Sequence, residues 1–522
     1  MIEIRDARAG DVSAIRDIFR ACYGAAYPHP QFYDTEQLTR FVYSDGQILL
    51  VAEDTESGRI LGTASVILEV GALSDLVAEL GRLAVLPDAR NLGVGRLLMR
   101  ERLARVRDRL HVGLVEARIV HPFTLKIAEA QGFDPVGLVP MRMQTQQTES
   151  LCFLTQYFGD ALSLRRNHPR VIPEVYALAE LALEHCGIAS DVIVDEDSSA
   201  YPPAEGLETR EMTTQGYSSL LRIERGRVRH REVFGPLRLH YGLFKLQAQH
   251  SHYLMALDRG RIVGAVGWNE DPIDRAVRVF ELIALEDPVA RFLLEGLERT
   301  CCERGVVNLA EIDVSAHAPR LQRTLLELGF LPAAYLPAMV FCDVERLDVV
   351  KMVRLFVPPE FGVLELSPRA RAIADIVLRP FRTQRIQPQI EAVMSELPLF
   401  RGLDAEQVRR LASVCHVASF PAGQRVLQEG DLDSTFYLLL EGTADIRRRS
   451  ADRPVGVVAS GECLGEMSLL TAQPHSASAM ATSPIEAATL RHTDLTELIR
   501  LRPDIGVTIY RNLAAGLGDE VE

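Results

Sequence analysis

The chain has 522 residues, a formal net charge of -14, and 47% hydrophobic and 25% charged residues. So long a chain exceeds what one hydrophobic core usually serves, so three or four domains are expected, and the acidic balance argues against nucleic acid as the main partner. The eight cysteines (22, 152, 186, 301, 302, 342, 415, 463) show neither Cys-x-x-Cys nor zinc-ligand spacing, so reduced thiols and no metal site are expected.

The opening MIEIRDARAGDV lacks the apolar core of a secretory signal, and no apolar run approaches the roughly 20 residues that span a bilayer. A cytoplasmic protein without a membrane partner is the expectation; a homo-oligomer is compatible with it. Ile2–Arg5 has the pattern of a short strand, and Asp11 is placed to cap a helix to about Cys22 with Ile15, Ile18 and Phe19 on one face. QILLVAE (47–53) and RILGTASVIL (59–68) form a predicted hairpin around DTESG. Ala78–Val85 is a predicted strand, 93–108 a helix, Leu114–Val120 a strand, and Phe123–Gln131 a helix stopped by Gly132. Residues 1–145 therefore form a first α/β domain, a mixed sheet with helices on its faces.

Residues 146–235 are assigned as a partly helical connector, with an amphipathic helix in HPRVIPEVYALAELALEHC (168–186). Residues 236–345 repeat the logic of the first domain: a hairpin around Arg259-Gly260, a strand at Arg278–Leu285, a helix at Pro288–Arg304, a strand at Ala310–Val314 and a helix at Pro319–Leu328. VHPFTLKIAEAQGFDPVGLVP (120–140) and AHAPRLQRTLLELGFLPAAYLP (316–337) both run from a His through a helix to Gly-Phe, a strand and a Pro, which points to duplication. Trp268 is assigned to the core of the second copy. Residues 346–394 are assigned as a linker with a helix, and 395–522 as an all-β domain closed by helices near 494–500 and 504–515.

The chemistry concentrates in ELGRLAVLPDARNLGVGRLLMRERL (79–103). A strand leads through Pro87-Asp88 to Arg90-Asn91-Leu92-Gly93-Val94-Gly95-Arg96 and straight into a helix. Unpaired N–H groups and the positive dipole end at a helix start favour anions, and glycines let phosphate oxygens approach the backbone. No Gly-x-Gly-x-x-Gly of a dinucleotide fold is present. The segment resembles the Arg/Gln-x-x-Gly-x-Gly/Ala motif of the GNAT N-acetyltransferases, a resemblance covering residues 1–145. It implies acetyl-CoA as co-substrate, with the pantetheine arm on the backbone of Leu83, Ala84 and Val85 and the pyrophosphate on residues 90–96. It further implies direct attack by an amine, on a protein lysine or a small molecule, with Glu79 as the best-placed base. The family's usual thiolate acid, a Tyr four residues before the Gly-Phe, is Ala128 here, and its frequent Asn is His121. In the second copy Glu286-Asp287-Pro288-Val289-Ala290-Arg291 stands where the phosphate loop would be, so that copy is expected to be degenerate.

Residues 397–500 resemble the cyclic-nucleotide-binding β-roll, through LPLFRGLDAEQVRRLASVCHVASFPAGQRVLQEGD, FYLLLEGTADI and Gly465-Glu466 followed by Pro474-His475-Ser476-Ala477. In that family the Glu accepts from the ribose and an Arg forks onto the cyclic phosphate. Gly465, Glu466 and Ser476 stand in place, but the Arg position is His475, which offers one donor in place of a bidentate cation. A β-roll kept for contacts, or one with another ligand, is expected ahead of cAMP binding. The expected whole is a multidomain acetyltransferase biased by this domain; the alternative is a non-enzymatic sensor or scaffold that binds CoA.

Overall fold

The structure, a computed structural model, describes residues 1–68, 75–212, 231–235, 251–305, 307–432, 434–450, 453–471 and 473–519. Parts of the expected connector (213–230) and the first residues of the expected second domain (236–250) lie outside the described residues. The chain divides into two compact units, Met1–Leu378 and Arg379–Glu522. Among the described residues no helix is long and apolar enough to cross a membrane.

The first unit is built on one 16-stranded sheet. Its first half uses β1 (Ile2–Asp6), α1 (Val12–Tyr23), α2 (Thr35–Val42), the hairpin β2 (Gln47–Asp54) and β3 (Arg59–Ile67), β4 (Val77–Glu79), β5 (Ala84–Val85), α3 (Val94–Val106), β6 (Val112–Arg118), α4 (Phe123–Glu129), β7 (Asp134–Gln144) and β8 (Thr148–Tyr157). The expected strand 78–85 is thus two pieces. Asp11 precedes α1, but its carboxylate does not cap the helix: it accepts from Arg8 N–H at 2.7 Å and from both terminal nitrogens of Arg5 at 2.7 and 2.9 Å. Helix α2 was not anticipated; its entrance is fixed by the Asp34 side chain, which accepts from Glu36 and Gln37 N–H.

A small parallel pair, β9 (Arg170–Val171) with β10 (Ile193–Val194), brackets α5 (Pro173–His185). The second half then follows: β11 (Glu208–Glu211), β12 (Val233–Phe234), β13 (Ser251–Asp258), β14 (Arg261–Asp271), β15 (Ala276–Ala284), α6 (Asp287–Arg304), β16 (Leu309–Ser315), α7 (Pro319–Glu327), β17 (Leu331–Cys342) and β18 (Glu345–Leu355).

Two boundaries move. Residues 148–157 pair with both β6 and β7, so the first sheet runs past 145 into the expected connector. Residues 345–355 pair with β17 and β16, so the second sheet runs past 345 into the expected linker. Both strands are buried on both faces, which removes the alternation that marks a half-exposed strand. Their polar residues also disguise them: Glu149 is paired with Arg118, and Asp348 with Arg165, both inside the protein.

The strand order, β1-β2-β3-β4-β6-β8-β7-β17-β18-β16-β15-β14-β13-β11, reads the same from either end once each strand is replaced by its counterpart in the other copy. The copies meet where β7 pairs antiparallel with β17, at Gly137 opposite Ala334. Each of these stands five residues after the glycine of its own Gly-Phe (Gly132, Gly329), so the pair lies on the pseudo-twofold. A Cβ at Gly137 would collide with Cα and Cβ of Ala334 and sit 2.9 Å from Ala333 O. Tyr157 OH, donating to Pro337 O at 2.8 Å, joins the copies beside it.

The second unit packs two four-stranded sheets, with strand orders (by first residue) 416-485-435-463 and 425-478-443-456, against helices Ala405–Ser413, His492–Leu501 and Pro503–Asp519. The division between units falls within helix Pro368–Glu396, ahead of the expected start at 395.

The close approach at the seam leaves no room for a side chain at position 137. Gly137→Ala should lower stability by about 1–3 kcal/mol, the usual cost of overpacking, while Gly10→Ala, with nothing within 4 Å of its Cβ, should leave the melting midpoint in place. Equal midpoints for the two variants in thermal melts would contradict the packing described.

Candidate functional site

The site begins where two strands part. β4 is hydrogen-bonded in parallel to β6 only from Val77 to Glu79, opposite Val112 to Leu114, and Leu80 N–H makes the last bond, to Leu114 O at 2.8 Å. The chain then swings onto β3: Gly81 and Ser65 exchange backbone bonds of 3.0 and 3.1 Å, Arg82 takes a positive φ of 56°, and Leu86 N–H reaches Leu61 O at 2.9 Å. With Gly62 opposite Val85 and Thr63 opposite Ala84, the antiparallel alternation turns the N–H and C=O of Ala84 toward β3. Leu83 and Val85 turn theirs the other way, into the gap that has opened against β6. Val85 O there accepts from the Cys22 thiol at 3.2 Å.

The gap is the inner end of a cavity of about 1170 Å3 whose outer end is the start of α3. Asn91 and Gly93 both take left-handed conformations, with φ of 72° and 77°. The first backbone bond of α3 runs from Leu97 N–H to Gly93 O at 3.1 Å, which leaves the N–H groups of Val94, Gly95 and Arg96 facing out of the helix end. A Cβ at Gly95 would stand 2.9 Å from the Ile127 side chain, so this glycine also lets α3 and α4 approach. Arg90, Arg96 and Lys126 line the cavity, and none has a carboxylate partner among the described residues. A helix N-terminus ringed by unpaired cations is an anion site.

Leu83, Ala84, Val85, Arg90, Asn91, Gly93, Val94, Gly95 and Arg96 all line this cavity. Three expectations need correction. Leu92 is exposed and off the cavity wall, because the left-handed residues on either side turn it outward. The backbone of Ala84 is committed to β3. Glu79 is off the wall too: its carboxylate is held in an ion pair by Arg82, which the strand departure brings beside it.

The structure places further chemistry-bearing residues near these. Glu116 projects from the same face of β6 as Arg118, two residues inward from it. It is partly exposed and has no hydrogen bond or ion pair among the described residues. Burial pushes its acidity toward the neutral form and Glu79 and Glu311 add to this, against Arg142 and Arg278. Arg118 itself is neutralised by Glu149, at 2.6 and 2.7 Å, and lies 5.4 Å from the ring centre of Tyr23. Burial pushes the Tyr23 hydroxyl up as well. Farther out, His121 lines the cavity with a buried Nδ1 that has no partner. Ala128, at the family's usual acid position, is fully buried. An acid on an inner strand between apolar residues was the one available signal for Glu116.

In the second unit Gly465 has φ of 82°, and a Cβ there would meet Thr435 O at 2.6 Å. It opens the short helix Glu466–Thr471, but Glu466 already accepts from the Cys463 thiol at 2.6 Å. His475 is buried, with Nδ1 3.0 Å from Ser468 Oγ and Nε2 unpartnered, while Ser476 is exposed.

A family model described as Acetyltransferase (GNAT) family matches residues 12–127, and one described as Cyclic nucleotide-binding domain matches residues 417–502. The chain joins a GNAT domain to a cyclic nucleotide-binding domain. The Cyclic AMP receptor protein of Thermus thermophilus is 34% identical over 125 residues, covering 23% of this chain and 56% of that protein. A cAMP-dependent protein kinase regulatory subunit of Aspergillus niger is 31% identical over 115 residues, covering 22% of this chain and 28% of the subunit. The chain thus spans little more than half the length of one of these relatives, and far less of the other. Among solved structures, Ribosomal-protein-alanine N-acetyltransferase from Brucella melitensis is 23% identical, covering 30% of this chain and 99% of that one, with a TM-score of 0.26.

The second copy keeps the strand departure and closes it. β15 pairs in parallel with β16 only from Ala276 to Val279. Beyond that point β12 pairs with β16, Val233 opposite Val314 and Phe234 opposite Asp313, and Ser315 N–H reaches Glu232 O at 2.8 Å. On the other side Gly235 packs so tightly on Phe280 of β15 that a Cβ would strike its Cα. The chain's own segment 232–235 therefore occupies the gap, so this copy is filled as well as stripped of its glycines. At the start of α6, Glu286 takes the N-cap place without a side-chain cap bond, and Asp287 is paired with Arg320 at 2.5 Å.

Calorimetric titration with CoA should accordingly give one site per chain, and Arg90→Glu and Arg96→Glu should each weaken it by about tenfold or more, the worth of a charge-assisted contact. Two equivalent sites, or unchanged affinity in both variants, would contradict the assignment of the α3 end.

Proposed function

We propose that the chain is an acetyltransferase that moves the acetyl group of acetyl-CoA to an amine in the first GNAT domain. The observation that carries this is one cavity joining an unneutralised anion site at α3 to the parted strands, with a bare carboxylate, Glu116, just beyond. GNAT domains use acetyl-CoA as co-substrate, which agrees with that cavity. Its pyrophosphate would lie at the N–H groups of Val94, Gly95 and Arg96 with Arg90, Arg96 and Lys126, and its pantetheine arm along the free edges of Leu83 and Val85.

Glu116 takes the proton from the acceptor ammonium. The freed amine nitrogen attacks the thioester carbonyl carbon, forming the C–N bond, while a backbone N–H at the bulge receives the developing oxyanion. The C–S bond then breaks, the CoA thiolate takes a proton from Tyr23, and the second proton of the attacking nitrogen passes to the Tyr23 phenolate as the amide forms. Tyr23 is assigned ahead of His121 because it lies level with Arg118, nearer to Glu116 along β6. The C-terminal domain is proposed to act as a regulatory module. A ligand other than a cyclic phosphodiester is proposed ahead of cAMP, since His475 stands at the family's phosphate-contact position and one oxygen of Glu466 accepts from the Cys463 thiol.

The buried Ala128 favours one rival reading, a CoA-binding sensor without turnover. Thiol release from acetyl-CoA with a panel of amines decides between them. Glu116→Gln should lower kcat by about a hundredfold or more with CoA affinity kept. A base must be ionised to act, and Glu116 is raised. Its ionisation should therefore limit the rate on the acid side, at a pH above the ordinary carboxylate range, and the variant should lose that limb. Glu79, Arg142, Arg278 and Glu311 are the charged groups that set its position. No thiol release above the Glu116→Gln background with any amine would leave the sensor standing.

A further inference from the structure

Glu116 faces charged groups from both copies. From the first comes the Glu79–Arg82 pair; His29, which follows α1, is pulled down to about 3 and so held neutral by burial, then by Arg82, Arg278 and Arg142. From the second come Arg278 on β15 and Glu311 on β16. Arg142 of β7 reaches across the seam to form an ion pair with Glu311 and to lie 3.5 Å from Asp274. Lys351 closes the network, 2.6 Å from Asp313 and 3.4 Å from Glu311.

Nearly every charge here is matched at contact distance, as buried ions require. Two are not. Glu116 has no hydrogen bond, and Arg278 keeps its nearest carboxylates, Asp271 and Asp274, at 3.8 and 3.9 Å, beyond hydrogen-bond reach. Its Nε is buried without a partner, while 42% of its side chain is exposed. The other oxygen of each acid is engaged: Asp271 Oδ1 accepts from Ile273 and Asp274 N–H, and Asp274 Oδ1 from Gln144 N–H, each at 3.1 Å. A carboxylate without a hydrogen bond and a guanidinium held only by two long ion pairs, within electrostatic range of each other, are complementary to one molecule with both charges.

We propose that the acceptor site is composite, with the acceptor's ammonium at Glu116 of the first copy and a carboxylate of the same molecule held by Arg278 of the second. The substrate class is then primary amines that carry a carboxylate. The planar fork of a guanidinium fits a carboxylate in two parallel bonds, whereas a simple alkylamine or a diamine leaves Arg278 unmatched. This rests on the acetyl-transfer reading for its chemistry, though not for its binding.

The test uses the full chain loaded with CoA and a series of ω-amino acids of increasing length, each beside the alkylamine of the same chain. Binding is measured by calorimetry and turnover by thiol release. In the wild type the best ω-amino acid should bind about tenfold or more tightly than its matched alkylamine. Arg278→Gln should bring that ratio to near one, Arg278→Lys should restore part of it, and CoA affinity should not move. A ratio near one in the wild type, or one that Arg278→Gln leaves in place, overturns the proposal. A ratio that collapses in Arg278→Gln while no amine is acetylated supports the site and removes the transfer reading instead.

Discussion

The departure of β4 from β6 after Glu79 is the constraint on which the rest depends. Three residues of parallel pairing hold the strands together; then the chain must satisfy its backbone elsewhere, because unpaired N–H and C=O groups inside a protein are costly. β3 takes most of them. Arg102, from the middle of α3, takes more, donating to Ser65 O at 3.1 Å and Gly81 O at 2.9 Å. No carboxylate touches this fully buried guanidinium, and burial pulls it down to about 9, still cationic at neutral pH. A cation is a costly way to satisfy two carbonyls. It links the bulge to the helix whose first turn is the anion site, so the inner and outer ends of one cavity are set by one rigid element.

The same departure in the second copy shows that the gap does not persist by default. Left alone, diverging strands offer edges to any extended segment, as exposed strand edges do generally. In the second copy segment 232–235 takes that offer. In the first copy no described segment does so, and the wall carries Arg90, Arg96 and Lys126 in its place. A cavity lined by cations repels further cationic chain and waits for an anion. The two copies thus show two ways of satisfying one backbone defect.

Much of this was legible in the sequence, for reasons that differ by element. The hairpins, α3, α4 and their counterparts follow from apolar period and from glycines with positive φ, such as Gly93 and Gly132, whose need is local. The anion site followed for the same reason, since a helix start and its glycines are neighbours in sequence. The ion pair of Glu79 was not legible because it depends on Arg82 swinging back at the bulge, an event of tertiary pairing. Glu116 was passed over because nothing local marks it: it lies on β6 just past the point where β4 leaves that strand. β8 and β18 hid their strand character behind buried pairs, Arg118 with Glu149 and Arg165 with Asp348 across 183 residues of chain. Local chemistry was readable; chemistry made by distant partners was not.

The pseudo-twofold also explains why the charged network lies where it does. Gly137 and Ala334 sit on the axis, so the same face of each copy is brought toward that of the other. Register places Arg278 on β15 where the first copy has Glu79 on β4, each opposite the third residue of its parallel partner strand. An exact repeat would have set two acids against each other across the seam, with Glu116 between them. Exchange of acid for base at that one equivalent position relieves the repulsion, and Arg142 with Lys351 balances Glu311 and Asp313. The second copy, its own slot filled by β12, then contributes charge of the opposite sign to the first copy's open one. On the proposal of a composite acceptor site, duplication followed by this asymmetry makes the second copy one wall of the first copy's site.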